Sequence, residues 1–192
     1  MLEKPWRHAA ALWAVLALLL APQWAVASGT LAPPAPVQQA LASATLAGEG
    51  QMRFWGLRIY DARLWVQPRF EPSAFDRLPL ALELTYHRAF SGAAIAQRSI
   101  EEIQRQVPLS SEQSERWQRT LSRWIPDVQP GDRLTGLYQP GSGMRLWLGE
   151  RDLGVVHDAE LARLFFGIWL SPRTSEPGLR GALLGRVVER AP

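Results

Sequence analysis

The order in which two hydrophobic periodicities alternate along this chain limits its fold more than any other feature. Met52, Phe54 and Trp55, then Leu57, Ile59 and Tyr60, then Leu64, Trp65 and Val66 follow the short spacing of β-strands, with a turn near Gly56 or Asp61. The pattern turns β-like from Gly50, and Leu80 to Tyr86 alternates as a further strand ending at His87-Arg88. The middle is helical. Ser91 caps a helix carrying Ile95, Ser99, Ile100, Ile103 and Val107 and ending before Pro108. Ser110 or Ser111 caps the next, whose stripe of Trp117, Leu121, Trp124 and Ile125 stops at Pro126. Strands return at Leu134 to Tyr138, Met144 to Leu148 and Leu153 to Val156, separated by the turns Pro140-Gly141-Ser142-Gly143 and Gly149 to Asp152. Asp158 then caps an apolar helix with Leu161, Leu164, Phe165, Phe166, Ile168, Trp169 and Leu170, and a final helix holds Leu179, Leu183 and Leu184. This order predicts an α+β fold, a large and mostly antiparallel sheet covered on one face by a layer of helices.

The N-terminus reads as a processing signal. Lys4 and Arg7 precede an uncharged apolar run from Ala9 to Ala21, too short for the roughly 20 residues that cross a bilayer. Pro22 ends the run, and Ala25-Val26-Ala27 supplies a small-x-small cleavage site. We therefore expect a signal peptide over residues 1–27, cleaved after Ala27, an exported and periplasmic protein, and no integral membrane segment after processing. Residues 28–44 read as an extended Pro/Ala-rich leader outside the core, and residues 45–188 as one domain.

Composition then narrows the chemistry. The chain has no Cys, a single Lys (Lys4) and three His (His8, His87 and His157). Once residues 1–27 are removed, a Schiff-base lysine, a thiol nucleophile, a disulfide, a P-loop and a three-His metal site are all excluded. With 19 basic against 17 acidic residues left, interspersed and without a basic run, nucleic acid is not an expected partner. The Arg excess reads as composition bias. His87 at a strand end and His157 beside a capping Asp read as surface or capping residues. Asp127 and Asp132 flank one turn, and Glu101-Glu102 read as a solvated helix face. Two positions stand apart. Arg53 and Tyr60 lie among Phe54, Trp55 and Trp65, where a guanidinium can clamp an anion and a phenol can add a hydrogen bond. On the residues alone, an arginine on the solvent face of a strand is the better reading of Arg53.

The stretch from Asp158 through Phe165-Phe166-Gly167-Ile168-Trp169-Leu170-Ser171-Pro172-Arg173-Thr174 to Gly185 resembles the signature of the bacterial chalcone isomerase-like family. Ile59-Tyr60-Asp61-Ala62-Arg63-Leu64-Trp65, Leu84-Thr85-Tyr86-His87-Arg88 and Pro126 to Asp132 support it, and the match runs over about residues 45–186. The resemblance implies a large antiparallel sheet wrapped by helices with an apolar cleft between them. Plant enzymes of the superfamily close a chalcone by attack of a phenolate on an enone, an Arg holding the oxyanion. Non-catalytic relatives hold a fatty-acid carboxylate on an Arg and a Tyr. By that resemblance Arg53 matches the essential Arg, Tyr60 stands where the enzymes have Thr and the fatty-acid binders Tyr, and Thr174 matches the Thr of S-P-x-T. The enzymes also carry a Tyr and, seven residues on, an Asn in the first central helix; Ala93 to Glu102 contains neither.

Three readings follow. The first is a binding protein for a small, apolar, anionic ligand of fatty-acid or phenolic type, with Arg53, Tyr60 and Thr174 as ligand-binding residues. The second is an isomerase of the intramolecular-lyase type, with the same three residues as catalytic groups. The third is a structural envelope protein whose cleft is filled by Trp55, Trp65 or Trp169. None of them calls for a metal or a cofactor.

Overall fold

The computed structural model describes residues 31–188, with side chains through Gly185. The expected signal segment, residues 1–27, lies outside the described residues.

Among the described residues, six strands form one antiparallel sheet in sequence order: β1 (Thr45–Phe54), β2 (Leu57–Val66), β3 (Leu80–Tyr86), β4 (Arg133–Gln139), β5 (Gly143–Leu148) and β6 (Arg151–Val156). The order follows from short connections, since β1–β2, β4–β5 and β5–β6 are hairpins. Between β1 and β2, Trp55 (φ 49°) and Gly56 (φ 77°) both take left-handed backbone, the turn whose twist matches that of paired strands. Asp61, the other expected turn position, sits inside β2 opposite Gln51. Strand β1 begins at Thr45, five residues earlier than its alternation suggests. Two glycines obscure the pattern there, and Gly48 has a packing reason: a Cβ would lie 2.2 Å from the Ala182 carbonyl oxygen.

Helices α2 (Gly92–Gln106), α3 (Ser111–Trp124), α4 (Ala159–Leu170) and α5 (Pro177–Val188) form the covering layer. The expected caps are present. The side chains of Ser91, Ser110 and Asp158 accept the backbone N–H groups of Ala94, Gln113 and Leu161. The second oxygen of Asp158 also accepts the indole N–H of Trp117 at 2.8 Å, tying α3 to the start of α4. Asp127 and Asp132 hold the turn after α3, accepting from the backbone of Gly92 and Gln129. The core lies where β-strand alternation aims Ala62, Leu64, Leu80, Leu82, Leu84, Leu134, Met144 and Leu146 at Ile103, Trp117, Leu161 and Phe166.

The leader needs correction. Within residues 28–44, Ala35–Ala40 form a helix, α1, and Val37 and Leu41 are buried against Trp65, Leu137 and Trp147 on the second sheet face. Prolines suggested an extended chain, yet Pro is tolerated in the first helical turn, where its missing N–H costs nothing. The apolar side chains on that sheet face supply the packing that makes the short helix worthwhile. The sheet is therefore partly covered on both faces.

Candidate functional site

Between the sheet and helices α2 and α4 lies a cavity of about 400 Å³. Its floor comes from β1–β4 (Met52, Phe54, Ile59, Tyr60, Leu84, Tyr86 and Leu134) and its roof from α2 and α4 (Ala94, Ile95, Ser99, Phe165, Ile168 and Trp169). Register sets the floor. Met52 pairs with Tyr60 while Arg53 pairs with Arg58, so β2 carries one extra residue at Ile59. That bulge turns both Ile59 and Tyr60 towards the cavity. Six aromatic rings contribute to the lining, and Tyr86 meets Tyr60 and Phe90 at ring separations of 5.8 and 6.0 Å.

One end of the cavity is polar. The Tyr60 hydroxyl accepts the indole N–H of Trp169 at 3.0 Å, leaving its own proton available to a ligand. Burial pushes the Tyr60 phenol up to about 12, against the Trp169 hydrogen bond. The charges of Glu176 and Glu102 push the same way and that of Arg98 opposes them, and all three line the cavity together with Tyr60. Arg98 Nη2 comes within 2.5 Å of Glu102 Oε1, a charge contact without the alignment of a hydrogen bond. Arg98 also donates to Glu101 at 3.1 Å, and Arg105 Nε lies 3.5 Å from Glu102. Tyr86 is also raised, first by burial and then by Tyr60 beside it.

The phenols carry a pH consequence. Below about pH 10 both the folded and the unfolded chain keep Tyr60 protonated, so its contribution to stability is complete there. From about pH 10 to about pH 12 the unfolded chain ionises while the folded one does not, and stability falls. We expect a loss on the order of 2 kcal/mol over that window, less steep in Tyr60→Phe, measured as urea midpoints across the alkaline range.

Of the three residues expected at the site, the structure puts only Tyr60 in the cavity wall. Arg53 is the main correction. It sits between Met52 and Phe54, both cavity-facing, so alternation sends it to the opposite face. There it is exposed, donating to Gln51 at 2.7 Å and to the Gly56 carbonyl. Thr174 does not line the cavity either. Its hydroxyl donates to the Ile168 carbonyl at 2.6 Å and accepts the Glu176 N–H at 3.1 Å, so it shapes the link from which Ser175 and Glu176 reach the wall. His87 joins Asp61 (2.8 Å) and Arg58 on the face away from the cavity. Desolvation would raise the Asp61 carboxyl, but hydrogen bonds from Gln51 and His87 and the Arg58 charge hold it below the usual carboxylate range.

Sequence reasoning missed Arg98, Glu102 and Glu176, and considered Trp169 as a filler of the cleft rather than as the hydrogen-bond donor to Tyr60. Glu102 was expected on a solvated face and is 6% exposed. The signal was present: Arg98, Ser99 and Glu102 stand three, four and seven residues beyond Ile95, on one helical face. Glu176, in a loop, has no comparable pattern. Trp55 and Trp65 lie outside the cavity, and Trp169 forms part of its wall without filling it. Among the described residues no three His, Asp or Glu side chains gather as a metal site requires.

Comparison with known proteins places this geometry. The chain is 30% identical over 108 residues to an uncharacterized protein of Haemophilus influenzae, and spans about half the length of that relative (56% of this chain, 52% of the relative). Its fold is that of the crystal structure of an Arabidopsis thaliana fatty-acid binding protein, with a TM-score of 0.58 and 13% identity over 74% of this chain and 87% of that one. The family described as chalcone isomerase-like matches residues 28–185. A match over nearly all of the described fold, with a sheet-and-helix architecture that agrees, makes this chain a member of the chalcone isomerase-like family.

Proposed function

We propose that this protein is exported after removal of residues 1–27 and binds a small, mostly apolar ligand with an acidic head, of fatty-acid or phenolic type. One observation carries the reading: an apolar, aromatic-lined cavity of about 400 Å³ ends in a phenol donor and an arginine. The volume lies in the range of small-molecule sites, and a few polar groups at one end are what such sites use to orient a ligand. The solved fatty-acid binding protein of the same fold supports the ligand class by analogy. The anchor differs from the expected one, because Arg98 of α2 takes the place assigned to Arg53. The isomerase reading loses the geometry it rested on, since Arg53 and Thr174 do not line the cavity. No described helix is long and apolar enough to cross a membrane, and the apolar run from Ala9 to Ala21 supports export.

Arg98 is not idle, and this sharpens the test. Glu101 and Glu102 hold its guanidinium, so an incoming carboxylate competes with Glu102 for it. We expect Arg98→Gln to weaken a long-chain fatty acid at least tenfold, the scale of a charge-assisted hydrogen bond, while the corresponding alcohol changes little. Glu102→Gln has the opposite sign, tightening the acid several-fold by freeing Arg98. Fluorescence displacement with the acid, the alcohol and a phenolic probe measures both, on periplasmic protein whose N-terminus reads Ser28. If no probe binds, or if Ala94→Trp, which puts an indole into the cavity from its α2 wall, leaves binding unchanged, the reading fails.

A further inference from the structure

The exposed apolar side chains of this protein are not scattered. Among the described residues, the large hydrophobic side chains left in solvent are Leu31, Phe54, Trp55 and Leu57, and three of these four belong to the β1–β2 hairpin tip. Trp55 is 91% exposed, Phe54 56% and Leu57 49%. Single exposed apolar residues are ordinary, but three within four positions at the end of a ribbon, centred on a tryptophan, form a local apolar prow. Its shape is held, since Phe54 and Trp55 stack with ring centroids 5.8 Å apart and Gly56 closes the turn. Holding Trp55 at φ 49° has a conformational cost, because a bulky residue is uncommon in left-handed backbone. An Asn there would satisfy the turn better, so the fold does not call for the tryptophan.

Two further facts identify the occupant. Arg53 and Arg58 flank the prow on paired positions of β1 and β2. Both are exposed; Arg58 is paired with Asp61 at 3.3 Å, whereas among the described residues Arg53 makes hydrogen bonds only to the neutral Gln51 and Gly56. A tryptophan with adjacent aliphatic and aromatic groups, collared by cations, matches the interfacial zone of an anionic bilayer, where the indole sits at headgroup depth and arginines meet lipid phosphates. Phe54 also lines the cavity, so the prow and the cavity share a side chain.

We propose that the hairpin tip Phe54-Trp55-Gly56-Leu57 docks this protein on anionic membrane surfaces, bringing the Phe54 wall of the cavity to the lipid. Docking stands on the hairpin alone, and only the exchange of an apolar ligand between bilayer and cavity rests on the function proposed above. The insertion is shallow, a few side chains deep, so it is reversible and depends on headgroup charge.

Vesicle flotation tests this with the chain from Ser28 onward, which contains the whole described fold and lacks the apolar run at Ala9 to Ala21. The probes are vesicles of phosphatidylcholine, alone or mixed with phosphatidylglycerol. Flotation is expected with the mixed vesicles and much less with phosphatidylcholine alone. Trp55→Asn creates the favoured Asn-Gly turn, so it keeps or raises the melting temperature while binding falls at least tenfold. Arg53→Gln weakens binding to the mixed vesicles by about fivefold and leaves phosphatidylcholine unaffected. Failure of the unaltered chain to float with mixed vesicles overturns the proposal, as does equal flotation of the Trp55→Asn chain. A concentration-dependent dimer that Trp55→Asn abolishes, without vesicle binding, assigns the prow to a second copy and overturns it too. Ligand displacement in solution is unaffected by these outcomes, so the two readings fail separately.

Discussion

Phe166→Ala lowers the stability of the fold by about 3–5 kcal/mol, a large share of the 5–15 kcal/mol of a typical domain. Phe166 is fully buried on α4 where the helix crosses the middle of the sheet. Its ring tip lies 3.0 Å from where a Cβ on Gly136 would stand, so strand β4 has given up a side chain to admit it. Tyr138 and Phe165 flank it at ring separations of 5.4 and 5.8 Å. Truncation removes the ring from apolar surroundings and leaves a hole that these neighbours cannot close, because Gly136 has nothing to extend into it. Urea unfolding with an unchanged slope and a lower midpoint is the expected result. A loss under about 1 kcal/mol would mean that α4 slides down to fill the gap, contrary to the packing described.

Gly48→Ala has an expected cost of about 3 kcal/mol despite adding only a methyl group. A Cβ there would lie 2.2 Å from the Ala182 carbonyl oxygen and 2.4 Å from that of Leu183. Both are backbone atoms of α5, and a helix carbonyl cannot rotate aside as a side chain can. Replacing Gly by Ala in compatible backbone stabilises by about 0.4–1 kcal/mol through the unfolded chain, so the observed sign shows which effect wins. We expect the clash to win and α5 to lift from β1. Gly56→Ala is the useful comparison, because its Cβ meets nothing within 4 Å and only its left-handed φ opposes the change. Hydrogen exchange in residues 177–188 distinguishes the two, rising in the Gly48 variant and not in the Gly56 one.

The fold was legible where local chemistry and packing agree. Strand β3 alternates without interruption, and Ser91, Ser110 and Asp158 each sit one residue before a helix that carries an apolar stripe, so capping and periodicity agree on the same three helices. Helix α1 was hidden because its prolines are local signals against helix, while the reason for it, the apolar patch of Trp65, Leu137 and Trp147, assembles only from three strands. At the candidate site the difficulty was register. One residue along a strand decides which face a side chain takes, and Arg53 is one residue from both Met52 and Phe54. Tyr60 was legible from its aromatic surroundings, but the bulge that aims it is a property of strand pairing. Arg98 and Glu102 were within reach of helical periodicity once Ile95 is taken as the start of the cavity face. A charged pair on a helix, however, is more often solvated than turned inward.

The strand order bears on how this chain reaches its native state. Every strand pairs with its neighbours in sequence, so no strand must insert between two already joined. Two three-stranded halves can form from local contacts, β4–β5–β6 through two hairpins and β1–β2–β3 through one hairpin and the longer connection over residues 67–79, and local contacts form fast. What remains is the seam between β3 and β4, closed only when the intervening α2 and α3 have folded back, with Leu80 to Thr85 meeting Tyr138 to Arg133. That seam carries the loop-closure entropy of the whole architecture. Folding should therefore behave as the zipping of two preassembled halves, with Leu82 and Leu84 at the joint holding the rate and the outer strands β1 and β6 adding stability after the barrier is crossed.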